Sequence, residues 1–268
     1  MMHQTTDLLQ LRPRTRAHRP TLCPLIMAGD PSLEVTRDLL RHCVEIGVGM
    51  VELCVPFRNA FTDGATLIRA HERALRNEAE LEAVIALAAE FTSRIRIILL
   101  ADSSHTLRPR GFDRVFAMAV AAGMAGVLPH GLPPALSDRF HTAARRAELP
   151  VVGTIYATAR PEIRRQVIER ASAFIYLVST YGRSGGATEP MDLACQIQAL
   201  HTHTPLAVAI GFGLKTPGDV GRAFQAGCDI AIVGSAVAAA VEKALADGQD
   251  PGAQAAGLIR DLNRETLA

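Results

Sequence analysis

The sequence predicts a (β/α)8 barrel on three observations. Short apolar runs of β type alternate with helix-type patterns from end to end. The strand runs are nearly all apolar, as expected of a parallel sheet covered on both faces. The chain's 268 residues match the roughly 250 that one such barrel needs. A doubly wound open sheet is the rival fold. No Gly-x-Gly-x-x-Gly follows the first strand, which counts against a dinucleotide-binding version of it.

In chain order, the first strand is Leu22–Met27, and Asp30-Pro31-Ser32 opens the helix Leu33–Ile46. Met50–Val55 follows, then the helix Glu78–Phe91, the strand Ile95–Leu100 and the helix Phe112–Ala122. Gly126–Leu128, Pro134–Ala147, Val151–Ile155 and Pro161–Ala171 continue the alternation. Phe174–Val178, Met191–His201 and Leu206–Ile210 come next, and Thr216-Pro217 places proline at the start of the helix Pro217–Ala226. Ile230–Val233 and Ala236–Ala246 complete eight units, and a helical tail, Gln254–Leu267, packs beneath or beside the barrel. Gly47, Gly123 and Gly227 sit where helices must end before the next strand. No Pro/Gly/Ser-rich linker divides the chain, so residues 21–268 read as one barrel domain. Residues 1–20 read as a flexible basic segment, with Arg12, Arg14, Arg16 and Arg19 against a single acid, Asp7.

Composition narrows the function. The formal charge is +1, from 28 basic and 27 acidic residues, which supports neither nucleic acid nor an anionic membrane as partner. No apolar run reaches the roughly 18 residues of a membrane-spanning helix. Five cysteines are dispersed without a Cys-x-x-Cys pair and read as buried thiols in a reducing compartment. The nine histidines form no metal-binding spacing, so no metal is expected. A cytoplasmic location is the expectation.

Active sites of such barrels lie on the loops at the carboxyl ends of the strands. In Val51–Phe57 (VELCVPF) an acid interrupts an apolar strand. Side chains alternate, so Met50, Glu52 and Cys54 share one face and Val51, Leu53 and Val55 the other. The purely aliphatic set suits the helix-facing side, which turns Glu52 into the barrel. It is then either an acid/base group or a structural carboxylate paired with a buried Lys or Arg. Asp63, on the loop above, is either a cap for a helix over Thr66–Leu75 or the second member of a two-carboxylate site. In the last third, Gly182-Arg-Ser-Gly-Gly186, Gly211-Phe-Gly213 and Gly234-Ser235 follow the sixth, seventh and eighth strands. Each piece alone is an ordinary turn. Together they fit an anion held by backbone N–H groups and a helix N-terminus, where such barrels often hold phosphate.

These residues carry a resemblance. Pro24–Pro31 (PLIMAGDP), Val51–Phe57, Asp63-Gly64, Phe174–Ser179 (FIYLVS), Gly211–Gly213 and Ile232–Ala236 (IVGSA) resemble the tryptophan synthase α-subunit family, in order, from about residue 20 to 265. The resemblance implies a (β/α)8-barrel lyase that cleaves indole-3-glycerol phosphate to indole and glyceraldehyde 3-phosphate. It also implies that no metal or organic cofactor is needed. On this likeness Glu52 is the acid/base and Asp63 engages the indole N–H. Tyr176 lies near the glutamate, Ser184 supplies the hydroxyl of a closing loop where the family usually has Thr, and Leu100 and Phe212 complete the substrate-binding set. Gly185, Gly213, Gly234 and Ser235 contact the phosphate.

The departures lie at the rim. The family's Ser-Asp-Pro-Leu-Ala-Asp-Gly-Pro is Arg58–Ala65 here, and its Pro-Asp-Leu-Pro after the fourth strand is His130-Gly131-Leu132-Pro133. The first of these loops touches the β subunit in the family, so the change puts docking to a standard β subunit in question. His130 supplies a polar group or is an exposed loop histidine. Ala101–His105 replaces an aromatic- and Asn-containing segment, which turns Asp102 or His105 toward the substrate. Thr180 replaces an arginine, with Arg183 three residues on. Two alternatives to the lyase remain: a barrel enzyme acting on another phosphorylated substrate, and a non-catalytic phosphate-sensing subunit.

Overall fold

The computed structural model describes residues 20–77, 79–178, 190–211 and 213–266. Eight parallel strands, β1 (Thr21–Met27), β2 (Met50–Cys54), β3 (Arg96–Asp102), β4 (Gly126–His130), β5 (Gly153–Tyr156), β6 (Ile175–Val178), β7 (Val208–Ile210) and β8 (Ile230–Val233), form one sheet. Its order is β4-β3-β2-β1-β8-β7-β6-β5. The ring closes between β4 and β5 through one bridge, with Val127 N–H donating to Pro150 C=O at 2.8 Å and Val152 N–H to Val127 C=O at 2.9 Å. The sheet is therefore the predicted barrel.

Helices cover its outside: α1 (Leu33–Ile46), α2 (Ala65–Arg76), α3 (Leu81–Ala89), a short α4 (Arg108–Arg110), α5 (Phe112–Ala121), α6 (Pro134–Arg146), α7 (Pro161–Arg170), α8 (Pro190–His203), α9 (Pro217–Gln225), α10 (Ser235–Ala246) and α11 (Pro251–Asn263). The tail helix α11 packs beside the barrel, against α1 and α10. Local chemistry sets several ends. The Ser32 hydroxyl accepts from Val35 N–H at the start of α1, and Gly47, at φ 81°, ends that helix in the left-handed conformation glycine tolerates. Thr216 and Asp219 form a reciprocal capping box on α9.

Strand alternation sorts the core into layers. Met50, Ile98, Leu128, Val152, Phe174, Ile230 and Ile232 fill the barrel interior. Val51, Leu53 and Val55 belong to the shell between sheet and helices, as the aliphatic face of β2 predicts. In that shell the Phe140 ring of α6 meets Phe116 and Phe112 of α5 edge-on, with centroids 5.1 and 5.5 Å away.

Three readings need correction. The third strand runs on to Asp102 and is followed by a π-helical turn, Ser103–Leu107, that no sequence pattern announced. Asp102 makes that turn, accepting from the N–H groups of Ser104 and His105. The third helix spans only Leu81–Ala89, not Glu78–Phe91, and begins without a side-chain cap. Of the cysteines, Cys23, Cys43, Cys54 and Cys228 are buried thiols, but Cys195 is exposed on α8. Among the described residues no helix is long and apolar enough to cross a membrane.

Candidate active site

Glu52 sits in the middle of β2, flanked by Leu25 on β1 and Ile98 on β3 in parallel register. It faces inward with Met50 and is fully buried. Neither carboxylate oxygen has a hydrogen-bond partner. Among the described residues the structural alternative, a pair with a buried cation, is not formed: Arg96 of β3 instead donates to Gly49 C=O at 3.1 Å. Burial pushes the Glu52 carboxyl up to about 8, because an ion without partners is costly away from water. At neutral pH this group holds a proton that it can deliver.

Asp63 stands on the loop between β2 and α2. It does not cap the helix. Gly64 is the N-cap, without a side-chain hydrogen bond, and the Asp63 carboxylate instead accepts from His71 Nε2 at 3.1 Å. The backbone fixes the tautomer that makes this possible. Phe57 N–H donates to His71 Nδ1 at 3.2 Å, so Nδ1 offers its lone pair and the proton resides on Nε2. His71 is itself buried, on the α2 face that also buries Ala70 and Ala74.

Tyr176 points inward from β6 and packs with the interior cluster. Burial, and then the neighbouring Glu52 charge, push its phenol well above the ordinary range, so it remains a neutral hydroxyl. A Cβ at Gly211 would overlap that hydroxyl, so the glycine after β7 is what leaves room for the tyrosine. Leu100 is partly buried and packs against the same interior cluster as Leu25 and Tyr176. Gly213 has φ 78° in the turn after β7. Gly234 directly follows β8 and is the N-cap of the α10 helix, which begins at Ser235. Because β7 pairs with β8, these glycines and Ser235 follow the ends of neighbouring strands. Ser184, Gly185 and Phe212, together with Thr180 and Arg183, lie outside the described residues.

The rim residues form one network. Asp102 and His130 are register partners at the ends of β3 and β4. His130 is thus the last residue of a strand, half-buried, and not an exposed loop histidine. Asp102 accepts from His130 Nδ1 at 3.0 Å and from His105 Nδ1 at 2.8 Å, while His130 Nε2 meets the Thr62 hydroxyl at 3.0 Å. Burial pushes Asp102 up, but these bonds and the His105 N–H outweigh it and hold the carboxyl at about 2. The same bond to Asp102 raises His130. The Phe57 ring packs against His71, His130 and His105, with centroids at 4.4, 4.9 and 6.1 Å. Sequence reading singled out Asp102, His105 and His130 but not their connection, and it missed His71 and Thr62. Its one available signal for His71 was a histidine on the apolar face of α2.

A (β/α)8 barrel with a buried carboxyl on its inner wall, a second carboxylate on the loop after the same strand and glycines after β7 and β8 has the parts of a barrel enzyme's site. Residues 12–265 match the family model described as "Tryptophan synthase alpha chain". Tryptophan synthase alpha chains of Methanopyrus kandleri and Geobacillus stearothermophilus are 31% and 35% identical, covering 93% and 84% of this chain and 89% and 84% of theirs. The crystal structure of tryptophan synthase subunit alpha from Legionella pneumophila superposes with a TM-score of 0.84 at 26% identity, covering 92% of each chain. This chain belongs to the tryptophan synthase alpha chain family.

Proposed function

We propose that this protein is a carbon–carbon lyase that cleaves indole-3-glycerol phosphate into indole and glyceraldehyde 3-phosphate. The observation that carries the reading is Glu52, fully buried and without hydrogen-bond partners, a setting that pushes its carboxyl up to about 8. The bond to be broken joins an aromatic carbon to the glycerol chain, so the ring must first become a better leaving group. Glu52 delivers its proton to that ring carbon and gives the indoleninium tautomer. Asp63, held by His71, accepts from the ring N–H and stabilises the positive charge. The Glu52 carboxylate then takes the proton of the hydroxyl on the adjacent side-chain carbon. As that O–H bond breaks, a C=O bond forms, the carbon–carbon bond breaks and its electrons return to the ring. Indole leaves, and Glu52 is again protonated. A carboxyl near neutrality suits both transfers.

The phosphate binds at the ends of β7 and β8, on Gly213, Gly234 and Ser235, where the N-terminus of α10 favours an anion. Gly185 and Ser184 complete that end, with Tyr176, Leu100 and Phe212 around the ring. Anchoring the substrate remotely orients its reacting end. Family membership does not favour the two alternatives, another phosphorylated substrate or a non-catalytic sensor. The relatives' designation as alpha chains points to a β-type partner, and the changed loop Arg58–Ala65 puts docking to a standard β subunit in question. A cytoplasmic location follows from the proposed biosynthetic role.

The test is direct. Pure protein incubated with indole-3-glycerol phosphate releases indole, and Glu52→Gln lowers the rate by about 10² or more. Absence of indole above background, with or without a β-type chain, rules the reading out.

A further inference from the structure

The loop Arg58–Gly64 carries Asp63, and several of its residues are tied down. Asn59 adopts φ 62°, and Phe61 N–H and Asp63 N–H close tight turns on Asn59 and Ala60 C=O. Ala60 is buried, Asp63 is bound to His71 and Thr62 to His130. Two adjacent loop residues are thus gripped by two histidines, with the Phe57 ring packed against both. The grip on Thr62 has a rigid base. Asp102 is nearly buried, accepts from Ser104 N–H, His105 N–H and both imidazoles, and pairs with His130 across the β3–β4 register.

We infer that His130 is a positioning residue for Asp63: braced by Asp102, its imidazole fastens the Thr62 hydroxyl and fixes the catalytic loop from within the chain's own barrel. The strut works in either protonation state of the ring. With Nδ1–H donating to Asp102, the Thr62 hydroxyl accepts from a charged ring's Nε2–H or donates to a neutral ring's Nε2 lone pair. The inference rests on the role proposed above for Asp63.

The experiment compares Thr62→Val, Thr62→Ser and His130→Ala in the full chain, with two readouts. One is kcat and KM for indole release; the other is the rate of tryptic cleavage after Arg58, an exposed residue of the same loop. Loss of one hydrogen bond predicts a roughly five- to tenfold fall in kcat for Thr62→Val. KM, governed by the phosphate end, should stay within about twofold. Cleavage after Arg58 should accelerate by a similar roughly five- to tenfold factor. Thr62→Ser, which keeps the hydroxyl, behaves as wild type in both readouts. In an Asp63→Asn background Thr62→Val costs nothing more, since it acts through Asp63. Cleavage at the wild-type rate in Thr62→Val overturns the strut. Faster cleavage with unchanged kcat overturns its role in placing Asp63. If the wild type itself releases no indole, the functional reading falls, while the cleavage rates still decide the strut. Thr62 is exposed, so its variants fold even if His130→Ala does not.

Discussion

A carboxylate whose oxygens find no hydrogen-bond partner is unstable when ionised, and Glu52 is in that position inside the barrel. Its folded-state value of about 8 lies above the ordinary 4.5. The folded protein therefore keeps a proton that the unfolded chain has released, and stability falls as pH rises across that window. Glu52→Gln removes this penalty. Urea unfolding should show the variant close to wild type at pH 4.5 and more stable by a few kcal/mol above pH 8. An equal difference at both pH values would contradict the burial argument. His130 shifts stability in the same direction, through a favourable bond instead of a burial penalty. Its bond to Asp102 raises it above the ordinary 6.5, so the stability it contributes is complete below pH 6.5 and lost as pH rises through the raised value. His130→Ala should lower the melting temperature more at pH 6 than at pH 9.

At the scale of elements, α2 is the support of the second carboxylate, and its seat is electrostatic. Arg73 of α2 makes a bidentate bond, at 2.7 and 2.9 Å, to Asp30 in the turn after β1. Arg69 makes another to Glu242 of α10. Arg73→Ala leaves a nearly buried aspartate unpaired and should cost roughly 3–5 kcal/mol in urea unfolding; a cost below about 1 kcal/mol would show that the pair does not seat the helix. Strand β2 and the helix starts at Asp30-Pro31-Ser32 and Thr216-Pro217 were legible in the sequence because alternation and helix-start signals are local chemistry. The inward turn of Glu52 followed from the aliphatic set on its opposite face. The partner of Asp63 was not legible, because His71 reaches it only once α2 packs against the loop. Nor was the Asp102–His130 pair, which depends on the β3–β4 register. The π-helical turn hid that pairing further, since its Ser-Ser-His sequence looks like loop.

For the molecule as a whole, the barrel divides labour between a packed shell and a sparsely polar interior. Phe140 is fully buried in the shell against two aromatic rings. Phe140→Ala should cost about 3–5 kcal/mol of stability with kcat per folded molecule unchanged, as measured by denaturation and activity at saturating substrate. The eightfold alternation made this architecture readable because every strand is covered on both faces. At the rim, hydrogen bonds join Thr62, His130, Asp102 and His105 and tie the loop after β2 to the ends of β3 and β4. The central claim is that a buried, proton-holding Glu52 drives the cleavage. The pH dependence of kcat/KM for indole release, with Glu52→Gln alongside, tests it most directly. The rate should decline as pH rises through about 8, and the variant should be slower by about 10² or more at every pH. A profile flat through that range, or a glutamine variant as fast as wild type, would contradict it.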